Sequence, residues 1–404
     1  MTDSERTGPL SDITIIDCTR ALSGPYGAGL LADMGARVIK VEAPMGDGYR
    51  NIPPFLPDYA PPGASADTAA APSATDYGAP FASVNRNKQS ILLDLKQEAD
   101  KSVFLELCSH ADVVIENMRA GVMERLGLGY EDICKRNASI IYACVRGFGD
   151  PRTGESPYAD WPCLDAAAQS FGGLVYANDN LVTPAIADIF SGMLMALGVL
   201  AAINHRKNTG EGQFLDVGMY DAMLAFQKSA VAQYGFTGKP NPSGLQRAMT
   251  LYPFDLFPAQ DGQVSIAVGQ PHHWDLLCAA MDRADLMTDE RSATNAARLQ
   301  NVDWVEEQIL AWTTQNTRAD IMAKIGGKLP SGPVQNMQDI FQDLHVASRK
   351  MLEMCATGGS NPETALAANP IKFSKTTTTL YQPPPKLGEH TEAILAEFNI
   401  EKKG

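Results

Sequence analysis

An aspartate, Asp188, opens the most apolar stretch of this sequence, residues 188–206 (DIFSGMLMALGVLAAINHR). A carboxylate beside so much apolar surface is costly unless it is hydrogen-bonded or has a chemical role. Aspartate is a favoured helix N-cap, and its charge suits the positive end of a helix. A carboxylate fixed at a helix start beside a cleft is also a positioned nucleophile. We therefore expect Asp188 to cap this helix, to act as a nucleophile, or to do both.

Basic side chains recur near the ends of the predicted strands, although the chain as a whole is acidic. In a doubly wound parallel sheet the carboxyl ends of the strands face one crevice, where such side chains can bind phosphates. Each of them taken singly could equally lie on a solvated surface. Their shared position relative to the strands favours a common site for a phosphorylated ligand. They are Arg20, Lys40, Lys88, Lys96, Arg119, Arg125 and Arg146.

Several familiar ligand and catalytic motifs are missing from the sequence. Residues 23–29 (SGPYGAG) place glycines before a predicted helix, but in the order GxxGxG, whereas dinucleotide binding requires GxGxxG and a downstream acidic residue. There is no P-loop and no GxSxG elbow. The histidines and cysteines show no metal-ligand spacing, so we expect no metal. Backbone N–H groups at the start of that helix could still bind a phosphate or a developing anion.

Composition limits the classes of partner. The 404 residues include 33 Lys and Arg against 47 Asp and Glu, a formal net charge of -14, which disfavours a nucleic-acid partner because phosphate neutralisation needs a basic face. Seven widely spaced cysteines, an odd number, suit free thiols in a reducing compartment. The polar N-terminus and the lack of an apolar run of about 18 residues indicate no membrane partner. We expect a cytoplasmic protein.

The predicted elements that position these residues alternate between strands and helices in the first half of the chain. Short apolar β-rich runs separated by helical patterns are expected of an α/β fold, in which helices cover a parallel sheet. Residues 53–80 are rich in Pro, Ala and Ser without apolar periodicity, which predicts a surface insertion. The predicted strands are 13–19, 38–42, 90–95, 112–116, 140–145 and 214–217, and the predicted helices are 24–34, 101–110, 188–206 and 220–234.

The sequence changes character after a cluster of turn-forming residues at 237–243. Residues 252–268 predict a hairpin with a turn at Asp261-Gly262, which opens a second, smaller unit. Helical patterns at 274–281, 302–314 and 318–325 complete this unit, and a short helix at 391–397 ends the chain.

Five segments resemble the sequence signatures of class III CoA-transferases, a family that includes formyl-CoA transferase, carnitine CoA-transferase and α-methylacyl-CoA racemase. The segments occur in the family's order and cover nearly the whole chain apart from the 53–80 insertion. They are residues 20–50 (RALSGPYGAGLLADMGARVIKVEAPMGDGYR), 85–96 (NRNKQSILLDLK), 111–129 (ADVVIENMRAGVMERLGLG), 188–213 with Asp188, Ser191-Gly192 and RKNTGEGQ, and the tail with NPIKFS at 369–374 and LGEHT at 387–391.

The resemblance implies an architecture and a set of site residues. Residues 1–235, with the insertion, would form a large Rossmann-like domain, 236–345 a small α+β domain, and 346–404 a segment that returns to the large domain. Family members form an interlocked homodimer. Asp188 falls on the family's catalytic aspartate. The positions that line the family's CoA site fall on Ser23, Leu93, Asp94, Leu95, Lys96, Asn117, Met118, Arg119, Arg125 and Arg146.

The implied activity is the transfer of coenzyme A from an acyl-CoA to a free carboxylic acid. Asp188 would form an aspartyl anhydride and then an aspartyl-CoA thioester. Backbone N–H groups near Ser23 and Gly24 are expected to hold the tetrahedral oxyanion. Succinate-type dicarboxylic substrates follow from the family's habits and not from any residue of this chain.

Two alternatives stay open. Racemases of the family exchange an α-proton with the help of a histidine in a Gly-His-Asp segment. Leu164 stands at that position here, which favours transfer over racemisation. The glycine run of formyl-CoA transferases is missing at 243–247, and Leu22 stands where the oxalate-using branch has a glutamine, which disfavours formyl-CoA and oxalate. The second alternative is a non-catalytic CoA-binding protein.

Overall fold

A computed structural model describes residues 6–55, 77–243, 250–356, 363–378 and 382–401. The chain divides into two compact units. The larger unit comprises Met1–Asn241 with Ala347–Gly404, and the smaller one comprises Pro242–Val346.

A six-stranded sheet forms the centre of the larger unit, and all its strand pairs are parallel. Neighbouring apolar residues such as Ile15 and Ile16 point to opposite faces of the sheet, so both faces are covered by apolar side chains. The strand order is β3-β2-β1-β4-β5-β6. Successive strands are added on one side of β1 up to β3 and on the other side from β4 onward, which leaves a crevice at the carboxyl ends of β1 and β4. The strands are β1 Thr14–Asp17, β2 Arg37–Glu42, β3 Lys88–Leu92, β4 Val113–Glu116, β5 Ile141–Arg146 and β6 Phe214–Gly218.

Helices cover both faces of this sheet. One core packs Leu31 and Val199 against the sheet, and the other packs Phe104 and Ile133 against the opposite face. The helices are α1 Ser23–Asp33, α2 Ala79–Asn85, α3 Glu98–Ser109, α4 Val122–Arg125, α5 Tyr130–Cys134, α6 Asp165–Phe171, α7 Leu174–Asn178, α8 Ile186–Thr209, α9 Met219–Phe226 and α10 Lys228–Thr237, with a 3-10 helix at Gly48–Asn51.

Helix α8 is, among the residues that the structure describes, the one helix long and apolar enough to cross a membrane by length and composition. The expectation that no stretch reaches this length was therefore wrong, because the apolar character continues across Asp188. In the fold α8 packs against α1, β5, β6 and α9, and it contributes Met195 and Val199 to the core.

The smaller unit contains a three-stranded antiparallel sheet in the order β7-β8-β9. The buried indole rings of Trp274 and Trp312 belong to its own apolar core. Its strands are β7 Phe254–Ala259, β8 Gly262–Ala267 and β9 Ser331–Pro333, and its helices are α11 Pro271–Ala280, α12 Asn295–Gln300, α13 Val302–Thr313, α14 Arg318–Ile325 and α15 Met337–Phe341.

The C-terminal part returns to the parallel sheet. Short helix α16, Leu344–Ser348, precedes an antiparallel hairpin formed by β10 Leu352–Ala356 and β11 Glu363–Ala367. Helix α17, Thr391–Glu397, begins beside β3, where the Thr391 hydroxyl accepts a hydrogen bond of 3.0 Å from the Leu92 N–H. This contact ties the end of the chain to the first half.

The α/β class and the parallel sheet are confirmed, while two local predictions need correction. The helix predicted over 220–234 is two helices, α9 and α10, separated at Gln227. The predicted insertion 53–80 ends too late, because α2 begins at Ala79 with Pro80 in its first turn, a position that proline favours. Residues 56–76 of that insertion lie outside the described residues.

Candidate active site

Helices α1 and α8 cross in direct backbone contact, and glycines permit this approach. A Cβ atom at Gly192 would lie 2.2 Å from the Ser23 carbonyl oxygen, and one at Gly27 would lie 2.4 Å from the Gly192 carbonyl oxygen. Asp188 precedes Gly192 by four residues, so the two lie on the same face of α8 about 6 Å apart along the axis. The crossing therefore places Asp188 one turn of α8 away from the contact between Gly192 and the start of α1.

Asp188 does not cap its helix. The N-cap residue of α8 is Ala185, and no side chain of the N-cap contributes a hydrogen bond. Asp165, from the first turn of α6, instead accepts a hydrogen bond of 2.8 Å from the Ala187 N–H. Asp165 is held in turn by the buried amide of Gln169, which donates to it over 2.7 Å. The capping prediction for Asp188 is thus wrong, because Asp165, 22 positions before Ala187, accepts the hydrogen bond at this helix end.

No hydrogen bond or ion pair from the described residues reaches the carboxylate of Asp188, although the residue is half-buried. Burial, and after it the negative charge of Asp165, raise the pKa of Asp188 to about 7. The charge of Asp188 also contributes to the raised pKa of Tyr49 and to that of Cys163, about 11, both of which are caused first by burial. Asp188 is therefore a half-buried carboxylate with a pKa near neutrality.

The start of α1, which contacts α8 one turn from Asp188, has no side-chain cap for its N–H groups. Its N-cap residue is Leu22, which has no polar side chain and makes no capping hydrogen bond. The preceding residue, Ala21, adopts a left-handed conformation with φ of 63°. Asn117, just after β4, accepts from the Arg20 N–H and donates to the Arg20 carbonyl oxygen, both over 2.8 Å. The loop between β1 and α1 is therefore held from the neighbouring strand.

A cavity of about 600 Å³ lies at the carboxyl ends of β1 to β4. Its lining is mainly apolar, with basic groups from Arg20, Lys96 and Arg125. Arg20 also belongs to the loop that leads into α1, so the cavity and the Asp188 region share one segment of chain. The volume falls in the range of ordinary small-molecule sites.

The comparisons with known proteins agree with this geometry. The sequence matches CoA-transferase family III over residues 10–391. The chain belongs to CoA-transferase family III. It is 39% identical over 399 residues to a succinyl-CoA:mesaconate CoA-transferase of Haloarcula hispanica, with 97% of each chain covered. It is 34% identical to an acetyl-CoA:oxalate CoA-transferase of Acetobacter aceti, with 98% of this chain and 97% of the relative covered.

A solved structure of a CaiB/BaiF family protein from Brucella suis matches this CoA-transferase with a TM-score of 0.84. The two chains are 30% identical, and the match covers 97% of this chain and all of the other. Sequence and fold therefore give the same family, and the chain is an enzyme of the CoA-transferase class.

The structure brings six of the ten expected CoA-binding residues of this transferase to the cavity. They come from the segment after β3 and from the region after β4, and they are Leu93, Asp94, Leu95, Lys96, Met118 and Arg125. Ser23, Asn117 and Arg119 do not line the cavity. Ser23 is buried at the start of α1, Asn117 is engaged with Arg20, and Arg119 is exposed.

Arg146 lies apart from the cavity in a buried ion-pair network. Its guanidinium pairs with Glu116 over 2.6 Å and with Asp150, and its side chain is almost fully buried. The free-energy cost of burying such a charge is offset only when the charge keeps its partners. Arg146 thus organises the ends of β4 and β5 and does not face the cavity.

The turn after β2 supplies four of the cavity residues that sequence reasoning missed. They are Ala43, Pro44, Met45 and Gly46. The rule that strand ends face the crevice could have found them, since they follow β2 directly. They were overlooked because none of them is charged. In the described part of the chain, no group of three His, Cys, Asp or Glu side chains is placed to hold a metal ion.

Proposed function

We propose that this enzyme transfers coenzyme A from an acyl-CoA to a carboxylic acid through covalent intermediates on Asp188. The observation that carries the proposal is the Asp188 carboxylate, one turn of α8 from the uncapped start of α1, which no hydrogen bond or ion pair from the described residues reaches. A carboxylate that is neither capping nor paired keeps its oxygens available for attack.

Each step of the reaction forms one bond to an acyl carbon and breaks another. A carboxylate oxygen of Asp188 attacks the thioester carbon, the C–S bond breaks, and CoA leaves as thiolate from a mixed anhydride. The thiolate attacks the aspartyl carbon, which releases the free donor acid and forms an aspartyl-CoA thioester. The acceptor carboxylate then attacks that thioester and expels the thiolate. The thiolate finally attacks the acceptor acyl carbon, which yields the new acyl-CoA and restores the Asp188 carboxylate.

The start of α1 would stabilise the tetrahedral oxyanions. The Ser23 and Gly24 N–H groups lie in the first turn of α1, whose N-cap side chain makes no hydrogen bond. Donors aimed at a developing oxyanion are worth about 10²–10³ in rate each. The dipole of α1 adds to the effect because its positive end points to the same place.

CoA would occupy the cavity at the strand ends. Its phosphates bear roughly four negative charges at neutral pH, by the usual phosphate pKa values. Arg20, Lys96 and Arg125 are the basic side chains of the cavity lining that could meet them. Arg119 lies nearby in sequence and is exposed, so it remains a further candidate at the entrance.

We also propose short dicarboxylic acids as substrates. The names of the relatives pair succinyl-CoA with mesaconate, and succinate with glutarate. Transfer is preferred to α-proton exchange because Leu164, the residue before Asp165, cannot accept a proton and is 75% exposed.

We propose a cytoplasmic homodimer, on the basis of the apolar residues exposed on α10 and of the free cysteines. Helix α10 has no buried residue in the single chain, and it exposes Val231, Tyr234 and Phe236. An apolar surface of this kind indicates a covering partner, and a second copy is the proposal that follows from the family. All seven cysteines are free, which suits a reducing compartment.

A transfer assay tests the proposal. The purified chain is incubated with succinyl-CoA and a panel of dicarboxylic acids, and the product acyl-CoA is separated by chromatography. We expect transfer by the parent and loss of at least about 10³-fold with Asp188→Asn, since a covalent step is removed. Asp303→Asn, an exposed aspartate in the first turn of α13, is the matched control and should keep parental activity. Equal activity of Asp188→Asn and the parent would refute the proposal.

A further inference from the structure

A buried ion pair lies beneath the loop that joins β1 to α1. Lys40, from β2, is completely buried, and Asp47, from the turn after β2, is 2% exposed. The Lys40 Nζ lies 3.0 Å from Asp47 Oδ2, and it donates to the Thr19 carbonyl oxygen over 2.7 Å. The pair therefore contacts the second residue of that loop, which runs from Cys18 to Leu22.

Asp47 connects this loop to a second segment. Its Oδ1 accepts from the Ala21 N–H over 3.1 Å and from the Tyr49 N–H over 3.0 Å. Ala21 holds a left-handed conformation that costs an L-residue free energy, so the hydrogen bond from its N–H helps to maintain it. Ala21 precedes Ser23, the first residue of α1, by two positions.

The turn that carries Asp47 is itself anchored. The Asp47 N–H donates to Glu42 Oε1 over 3.1 Å, and Glu42 forms a two-pronged ion pair with Arg50 at 2.8 and 2.6 Å. Burial alone would raise the pKa of Asp47, but Lys40 and the two N–H donors hold it below its ordinary value. Asp47 is thus a fixed, ionised acceptor.

We propose that Asp47, paired with Lys40, is a positioning residue of the transferase that holds the β1–α1 loop so that the start of α1 stays aligned with Asp188. The proposal rests on the proposed function, because the alignment matters for attack by Asp188 and for the oxyanion that follows. Asp47 is not among the residues that line the cavity, so its main effect is expected on the covalent step and not on CoA affinity.

The test removes both buried charges together. A single substitution would leave its partner as a buried unpaired charge, which is strongly destabilising, whereas removal of both partners is often tolerated. The variant is Lys40→Met with Asp47→Ala, and the matched control is Arg86→Met with Asp33→Ala. The control removes another buried ion pair, of 2.6 Å, at the far end of α1.

Three measurements are made on each protein: the melting temperature, the affinity for free CoA, and the single-turnover rate of adduct formation on Asp188 with succinyl-CoA. We expect the Lys40/Asp47 variant to form the adduct about 10²-fold more slowly, the loss expected for one misplaced oxyanion donor. Its CoA affinity should stay within about threefold of the parent, a difference of roughly 0.7 kcal/mol. Lys40→Met with Asp47→Asn also removes both charges but keeps an acceptor oxygen for the Ala21 N–H, so this variant should recover most of the rate.

A parental adduct rate in the Lys40/Asp47 variant would overturn the inference, and so would an equal loss of rate in the control at equal loss of melting temperature. A parent that forms no adduct with any acyl-CoA would instead refute the proposed function. In that event amide hydrogen exchange over residues 20–24 still decides the positioning role, because loss of Asp47 should speed exchange there and the control pair should not.

Discussion

The rate at which Asp188 takes up an acyl group should depend on pH close to neutrality. Burial, and then the charge of Asp165, raise the pKa of Asp188 from 3.8 to about 7. Only the ionised carboxylate attacks the thioester. The ionised fraction is then about one half at pH 7, one tenth at pH 6 and one hundredth at pH 5. We therefore expect the single-turnover rate to fall about tenfold per pH unit below 7 and to level off above about 8.

The assay is rapid quenching of the chain with excess acyl-CoA across pH 5 to 9, with the adduct measured by mass spectrometry. Tyr49 and Cys163, whose pKa values are affected by the charge of Asp188, do not titrate in the lower half of this range, because both pKa values are raised above their ordinary values. Asp165→Asn removes a negative charge but keeps an acceptor for the Ala187 N–H, so it should move the midpoint toward lower pH. A rate that is flat from pH 5 to 8 would refute the reasoning.

Three further predictions concern the crossing, the cavity and stability. Gly192→Ala places a Cβ against the Ser23 carbonyl oxygen, so it should cost about 1–3 kcal/mol in unfolding free energy and reduce turnover; unchanged turnover and melting temperature would contradict the close packing. Arg125→Ala should weaken CoA binding by calorimetry about tenfold or more, the worth of one charge-assisted hydrogen bond, whereas exposed Lys207→Ala should not. Because the pKa of Asp188 is raised in the folded state, ionisation of its carboxyl lowers the folding stability as pH rises from about 4 through 7. Asp188→Asn should therefore raise the melting temperature at pH 8 and change it little at pH 4. The same shift of melting temperature at both pH values would contradict this.

Much of the sheet could be predicted because its strands are short apolar runs. Ile15 and Ile16 pack into cores on opposite faces of the sheet. Because both faces are covered, the strands are continuous apolar runs in the sequence. The break at Gln227 could not be predicted, since the apolar pattern continues through it. The Gln227 side chain donates to the Gly172 carbonyl oxygen, a contact between residues 55 positions apart.

The candidate site was predictable to the extent that its chemistry shows in local sequence. Asp188 stands out as a charge in an apolar stretch, and the strand ends indicate where a phosphorylated ligand would lie. Which basic side chains form buried ion pairs was not predictable. Lys40 and Lys88 turned inward because buried Asp47 and Asp17 pair with them, at 3.0 and 2.9 Å. Such partners are set by tertiary packing, which local sequence does not reveal.

Trapping of the covalent intermediate tests the central claim most directly. The chain is incubated with succinyl-CoA, treated with hydroxylamine, digested, and the peptide carrying Asp188 is sequenced by mass spectrometry. Attack on the thioester by Asp188 predicts a hydroxamate at this residue that forms only when acyl-CoA is present. CoA transfer that proceeds while Asp188 stays unmodified would contradict the account.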